Sequence, residues 1–220
     1  MSVLRLIFLG APGSGKGTQS QILEQRCGSV QISTGDILRQ NRAEKTALGM
    51  QAQEYMDRGE LVPDSIIIDM MEKELPREGG FILDGFPRSI PQAEALDALL
   101  ERLAMPLSGV VFFDVPRDEL VKRLTGRWTN PRSGRVYHEF YSPPKVHGID
   151  DEDGEPLVQR ADDTLETVER RLVEFEKTTR PLIEYYAKRK QLITIDATKS
   201  VADVTAAVLS ALNYRNGEAA

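Results

Sequence analysis

Residues 10–18 read Gly-Ala-Pro-Gly-Ser-Gly-Lys-Gly-Thr, and those residue types at that spacing suit one task above others, holding a chain of phosphates. Glycines at 10, 13, 15 and 17 let backbone N–H groups converge on an anion without Cβ clashes. Lys16 adds a full positive charge, and a helix starting behind the loop would add the positive end of its dipole. An apolar run over residues 3–9, broken only by Arg5, precedes the loop, and a helix-like segment over residues 19–26 follows it. Strand, glycine-rich loop and helix in that order are the setting of a phosphate-binding loop, and they set the stretch apart from a plain Gly-Pro turn. The spacing fits G-x-x-x-x-G-K, except that Gly17 stands in the Ser/Thr place and Thr18 follows it. It does not supply the G-x-G-x-x-G of a dinucleotide site. A nucleoside triphosphate is the better ligand.

Phosphoryl transfer asks a protein mainly for positioning and for positive charge around a congested anionic transition state. Beyond Lys16, the sequence offers arginines at turns and helix ends: Arg39, Arg88, Arg123, Arg127, Arg160 and Arg171. A single surface arginine is ordinarily a solvated charge; placement beside glycine, proline and strand ends marks out this set. Arg123 and Arg127, four apart at the end of a predicted helix, are expected to share a face. Asp162 and Asp163 are expected to orient Arg160. Residues 83–88, Leu-Asp-Gly-Phe-Pro-Arg, end a buried strand in the carboxylate of Asp84. Gly85 then allows close approach, and Arg88 offers a fork to a phosphate. Asp84 can accept from the waters of a magnesium ion, which prefers hard oxygen ligands and keeps much of its hydration shell. Its plainer role would be to cap the following turn.

The net charge of −6 argues against a general nucleic-acid or anionic-membrane surface and gives an arginine cluster a local purpose, for which a small anionic ligand is the natural candidate. With 40% hydrophobic and 28% charged residues, the 220-residue chain can bury a real core as one domain with insertions. Cys27 is the only cysteine, so an intrachain disulfide is impossible, a reducing compartment is expected, and a packing role suits it. No apolar run reaches the ~18 residues of a membrane span, and the N-terminus enters a strand directly. A soluble, cytoplasmic protein is expected.

The elements that must position these side chains follow from apolar periodicity. Strand candidates at residues 3–9, 30–33, 80–84, 109–114 and 192–196 include continuous apolar runs, as strands buried on both faces should. Helical segments separate them, which predicts an α/β fold with a parallel, doubly wound sheet and ligands at the carboxyl ends of its strands. Two stretches break the alternation. Residues 34–75 hold several helix-like segments, with Thr34 expected as the first cap, Gly49 and Arg58-Gly59 as punctuation, and Leu61-Val62 extended before Pro63. Residues 127–163 contain the only tryptophan and both histidines. They read as two short strands, 128–129 and 135–138, joined by an Asn-Pro-Arg-Ser-Gly turn, and as a structured lid. A long helix over residues 163–189, kinked or restarted at Pro181, follows. A short helix over 201–212 and a frayed tail over 213–220 end the chain.

In order and spacing these residues resemble adenylate kinases of the bacterial, long-lid type, over nearly the whole chain from Leu6 to about Val208. The resemblance rests on residues 10–18, on Gln-Ile-Ser-Thr-Gly-Asp at 31–36 with Arg39, on residues 83–88 followed by Pro91-Gln92, and on Gly126-Arg127. It continues through Ser-Gly-Arg-Val-Tyr-His at 133–138, Pro-Pro-Lys at 143–145, Arg-Ala-Asp-Asp at 160–163, Arg171, and Arg-Pro-Leu at 180–182. It implies a P-loop core with a five-stranded parallel sheet (residues 1–33, 64–126 and 164–220), a helical AMP-binding insertion (34–63) and a small β-rich lid (127–163). It also implies a monomer that moves the γ-phosphoryl group of Mg·ATP reversibly to AMP, giving two ADP. On the donor side, Gly13, Ser14, Gly15, Lys16, Gly17 and Thr18 would hold ATP phosphates. Arg123 would lie along the adenine, Arg127 would reach the phosphates, and Val136, Tyr137 and Lys199 would contact base or ribose. On the acceptor side, Thr34, Arg39, the backbone of Glu60, Leu61 and Val62, Gly85, Arg88 and Gln92 would hold AMP. Arg160 and Arg171 would bridge both phosphate chains, and Asp84 would hold magnesium through water, with no direct protein ligand. An amide such as that of Gln92 can pair bidentately with the edge of adenine.

Two departures from the family pattern matter. Positions that carry cysteines in zinc-bearing lids are here Asn130, Ser133, Asp150 and Asp153. Without thiolate or imidazole a structural zinc is not expected, and a hydrogen-bond network should hold the lid instead. Ala197 replaces a frequent glycine, where a backbone contact would survive. The weighed alternatives are a nucleoside monophosphate kinase acting on CMP, UMP or another base, a phosphotransferase with a non-nucleotide acceptor, and a non-catalytic nucleotide sensor. Gln92 and the long lid count against the first, the form of the 34–62 insertion against the second, and retention of the cations against the third.

Overall fold

Alternate residues of the apolar runs sort to opposite faces of one sheet. In the computed structural model, which describes residues 3–58, 60–215, 218 and 219, the strands are β1 (Arg5–Leu9), β2 (Val30–Ser33), β3 (Phe81–Asp84), β4 (Gly109–Asp114) and β7 (Leu192–Asp196). They lie in the order β2-β3-β1-β4-β7, every neighbouring pair parallel. Ile7, Leu9, Ile32, Phe81, Leu83, Val110 and Phe112 face one apolar cluster. Leu6, Phe8, Ile82, Val111, Phe113 and Ile195 face the other. Each face is covered by helices, which explains why the inner strands β1, β3 and β4 read as nearly continuous apolar runs.

The first face packs against α4 (Asp64–Glu74), α5 (Ile90–Arg102), α6 (Arg117–Thr125), α7 (Leu165–Glu174) and α8 (Pro181–Lys188). The second packs against α1 (Lys16–Cys27) and α9 (Val201–Ala211), with Cys27 partly buried beside that cluster. Between β2 and β3 lie three helices, α2 (Thr34–Ala43), α3 (Ala47–Arg58) and α4, where the sequence suggests several helical segments. Gly59, expected as punctuation there, lies outside the described residues. Ser33, not Thr34, caps α2: its Oγ accepts from Asp36 N at 3.3 Å, while the Thr34 hydroxyl donates to Gly85 O at 2.9 Å. The tether joins the insertion to the turn after β3.

The lid stretch contains β5 (Arg127–Thr129) paired antiparallel with β6 (Val136–His138). Single bridges from Thr129 to Val158 and from Ile149 to Pro156 extend the pairing. The sequence suggests one helix over 163–189, but the structure divides it: a 3₁₀ turn at Ala161–Asp163, then α7, a π-helical segment at Phe175–Thr179, and α8 with Pro181 at its start. Pro181 has no N–H to carry the ladder forward, and Arg180 N bonds instead to Phe175 O at 2.8 Å. The tail expected to fray holds a short pair, β8 (Tyr214–Arg215) with β9 (Glu218–Ala219), while residues 216, 217 and 220 lie outside the described residues.

Candidate active site

The carboxyl ends of β1 and β3 place the glycine-rich loop beside Asp84. Gly13 takes a φ of +82°, and a Cβ there would come within 2.8 Å of Leu124 Cγ, so only glycine lets the loop lie this close on α6. Lys16 curls over the loop: its Nζ donates to Gly10 O at 2.8 Å, to Ala11 O at 2.9 Å and to Ser14 Oγ at 3.4 Å. Burial lowers the Lys16 ammonium to about 8; Asp84 opposes that shift, and Arg88, Arg171 and Arg127 add to it. Burial likewise raises the Asp84 carboxyl, against the pull of Lys16.

The arginines converge from separate elements. Arg88 Nε donates to Gly85 O at 2.7 Å, and its backbone carbonyl accepts from the Thr179 hydroxyl at 2.8 Å. Burial and then the neighbouring Arg171 lower the Arg88 guanidinium to about 10. Arg160 also falls to about 10, through burial and then Arg39 and Arg127. Such depression marks a crowd of cations that an anion would relieve. Asp163 accepts from Arg127 at 2.7 and 2.5 Å and from Arg171 at 3.2 Å, and Asp162 lies 3.0 Å from Arg171. The acid pair therefore fixes Arg127 and Arg171, not Arg160 as expected; Arg160 lies 4.0 Å from Asp36, which also holds Arg39 at 2.6 Å. Arg127 does not share a helix face with Arg123, because α6 stops at Thr125 and Arg127 opens β5. Arg123 donates to Glu119 at 2.9 Å and to Ala197 O at 3.0 Å, a backbone contact that the alanine leaves intact.

These side chains line a cavity of about 740 Å³ running from the loop residues Gly13, Ser14, Gly15, Lys16, Gly17 and Thr18, past Asp84, Arg88, Arg127, Arg160 and Arg171, to Arg123, Val136, Tyr137 and Lys199. That size falls in the range of about 300–1,000 Å³ usual for small-molecule sites. A recess of about 80 Å³ adjoins it, lined by Thr34, Glu60, Val62 and Gln92 and sharing Arg39, Leu61, Gly85, Arg88 and Arg171 with the larger space. Every residue assigned a donor-side or acceptor-side contact from the sequence lines one or the other. Val136 presents an exposed side chain, whereas the Tyr137 hydroxyl bonds inward, accepting from Asp151 N at 2.9 Å and donating to Asp150 at 3.3 Å.

Sequence reasoning gave Asp163 the wrong partner and missed the other residues that hold the cations and the amide. Asp36, Glu119, Asp163 and Thr179 position Arg39, Arg123, Arg127 and Arg88 in turn. Asp64 accepts from Gln92 Nε2 at 2.6 Å. The i,i+3 and i,i+4 spacing of Asp36–Arg39 and Glu119–Arg123 was a readable signal; the others are long-range pairs without one.

The lid is held by a polar network at the four substituted positions. Asn130 Nδ2 donates to Asp150 at 2.7 Å and to Asp153 at 2.9 Å, and its Oδ1 accepts from Arg132 N and Ser133 N. Arg135 meets Asp150 at 2.9 Å, Glu152 at 2.5 Å and Asp153 at 2.7 Å. Burial pushes the Asp150 carboxyl up, but Arg135, the Glu152 N–H and Asn130 hold it well below the usual carboxylate range. Among the described residues, no group of three or more His, Cys, Asp or Glu side chains is arranged to hold a metal. Magnesium that arrives with a nucleotide is a different case. The Asp84 carboxylate lines the cavity and accepts no hydrogen bond from the described side chains, while a Cβ on Gly17 would sit 3.4 Å from its Oδ2. A hard oxygen donor with glycine beside it fits a hydrated magnesium ion.

Comparison with known proteins agrees with this geometry. The adenylate kinase family pattern matches residues 8–191. The chain is 49% identical to the adenylate kinase of Carboxydothermus hydrogenoformans over 95% of this chain and 99% of that protein. It is 48% identical to that of Thermodesulfovibrio yellowstonii, covering 96% and all of that protein. With adenylate kinase 4 of Arabidopsis thaliana it shares 45% identity over 95% of this chain and 86% of the relative. No helix among the described residues is long and apolar enough to cross a membrane. A family match over most of the chain, with relatives 45–49% identical along nearly all of it, shows that the chain belongs to the adenylate kinase family.

Proposed function

We propose that the large cavity and the adjoining recess are the donor and acceptor halves of one site, at which this adenylate kinase transfers the γ-phosphoryl group of Mg·ATP reversibly to AMP. The observation that carries this reading is the shared boundary. Arg39, Gly85, Arg88 and Arg171 line both spaces, so a phosphate in either meets the same cations. In this reading residues 1–33, 64–126 and 164–220 are the core, 34–63 bind AMP, and 127–163 close over ATP. The protein acts as a cytoplasmic monomer.

Lys16 and the loop N–H groups hold the donor phosphates, and Lys16 leaves its carbonyl partners to do so. Arg88 holds the acceptor phosphate, while Arg127, Arg160 and Arg171 lie where charge builds up between the two chains. Asp84 would hold the waters of a magnesium ion bound with ATP, whose charge would screen the phosphate oxygens. No side-chain nucleophile takes part, since the acceptor oxygen attacks in line. Closing residues 127–163 keeps water from competing as acceptor. The polar network around Asn130 and Arg135 supports a lid without structural zinc; one zinc per chain by metal analysis would contradict that. The direct test incubates Mg·ATP with AMP, CMP, UMP or GMP and follows ADP. AMP should be much the fastest acceptor, and faster turnover with CMP would move the assignment to another nucleoside monophosphate kinase.

A further inference from the structure

The amide of Gln92 is committed on two of its four hydrogen-bonding positions. Its Nε2 donates to Asp64 Oδ1 at 2.6 Å, and its Oε1 accepts from Arg88 N at 2.7 Å. Asp64 is itself fixed, because its Oδ2 accepts from the Ser89 hydroxyl at 3.2 Å. Ser89 in turn caps α5 by accepting from Gln92 N at 3.3 Å. The side chain of Gln92 is buried, so water does not compete for these partners.

A carboxylate only accepts and a peptide N–H only donates. The two partners therefore fix which end of the amide is nitrogen. Exchanging the ends would set oxygen against the Asp64 carboxylate and NH₂ against the Arg88 N–H. What remains for a ligand is one N–H and one oxygen lone pair, in a fixed sense. Adenine offers an acceptor at N1 beside a donor at its 6-amino group. A 6-oxo purine offers the reverse, a donor at N1 beside an acceptor oxygen. We infer that Asp64 is a positioning residue that holds the Gln92 amide in one orientation and so makes the recess select a 6-amino over a 6-oxo purine monophosphate. This deepens the reading of the recess as the AMP site and rests on it. Asp64 sits in the first turn of α4, where the helix dipole favours a carboxylate, and a neutral amide at that position would not discriminate between the two ends of Gln92.

The test uses the full chain with Mg·ATP as donor and AMP or inosine monophosphate as acceptor. These acceptors differ by the 6-amino or 6-oxo group and the N1 proton. In Asp64→Asn the new amide can meet either end of Gln92, which leaves the Arg88 N–H alone to set its sense. The ratio of kcat/KM for AMP to that for inosine monophosphate should fall at least about tenfold, as loss of a charge-assisted bond implies. The change should come through the two acceptor KM values, with KM for Mg·ATP within about twofold of the parent. A role limited to supporting α4 would lower both acceptors in parallel and leave the ratio unchanged, which overturns the inference. Failure of the parent enzyme to use AMP would instead remove the reading of the recess. Should Asp64→Asn not fold, the parent protein still decides. In its ligand-free NMR spectrum one Gln92 amide proton should be shifted downfield and exchange slowly. Two amide protons in free exchange with water would overturn the inference.

Discussion

The floor and the lid of the cavity hold their charged groups by opposite means. The floor stands on strands whose Leu6, Ile7, Phe8, Phe81, Ile82 and Leu83 are fully shielded from water, and Lys16 is held by backbone carbonyls of its own loop. The lid buries few apolar side chains, chiefly Tyr137 and Leu157, and exposes Val136, Phe140, Tyr141, Val146 and Val158. Its cohesion comes from Arg135 among three carboxylates, tied in by Asn130. Apolar packing is indifferent to salt and to pH near neutrality, whereas a charged network is not. A fixed floor keeps the cations in register, and a lid with little apolar core can move without exposing one.

The largest effects should therefore come from the floor. Lys16→Met or Arg88→Ala should each lower kcat by at least about 100-fold, the scale of losing a preorganised charge-stabilising donor, with an unchanged circular dichroism spectrum. Near-native turnover in either variant would dissolve the distinction between floor and lid. Removing the hub of the lid should act on binding and on containment instead. Arg135→Ala should raise KM for Mg·ATP by several-fold and increase phosphate release without AMP, while thermal unfolding of the core keeps its midpoint. A large drop in the core midpoint with unchanged KM would show that the network serves the whole fold.

Acidity separates the two regions in a defined direction. The Asp150 carboxyl is depressed, so its contribution is full above the unfolded value of about 3.9 and is lost as pH falls through the depressed folded value. Trp128, the only tryptophan, lies in β5, so its fluorescence should report lid loosening below about pH 4 at a higher pH than far-ultraviolet dichroism reports loss of the core. At the floor it is rising pH that removes the functional charge. Lys16 is lowered to about 8 from 10.5, so it loses its charge as pH rises past about 8. Affinity for ATP should weaken above that pH, and binding there should take up a proton. Over the same range the unfolded chain binds more protons at this site, so the Lys16 contribution to stability rises with pH. The smallest effect belongs to Ala197→Gly, which should change KM for Mg·ATP by less than about twofold because Arg123 meets the carbonyl.

Legibility in the sequence follows the range of the signal. The strands β2, β4 and β7 begin and end where the sequence places them, and for β4 the cause is plain, since burial on both faces leaves a local mark in its apolar run. The loop and the arginines are legible for a related reason, as glycine spacing and charge beside a strand end need no distant partner. What holds each cation is another matter. The pairing of Asp163 with Arg127 spans 36 positions, and that of Asp64 with Gln92 spans 28. Such pairs are chosen by packing, so reading Asp162 and Asp163 as the partners of Arg160 took the nearest neighbour for the true one. Gly126 was the available sign that α6 ends before Arg127, since glycine commonly closes a helix. The lid network was legible as a class, because four non-thiolate positions at cysteine spacing call for hydrogen bonds, but Arg135 as its hub was not.

The account is tested most directly by following ADP and inorganic phosphate together, with Mg·ATP alone and with AMP added. A fixed floor under a closing lid predicts two ADP for each ATP consumed when AMP is present, and negligible phosphate with or without it. Phosphate released in step with ATP consumption, at a rate indifferent to AMP, would contradict a two-nucleotide site sealed from water.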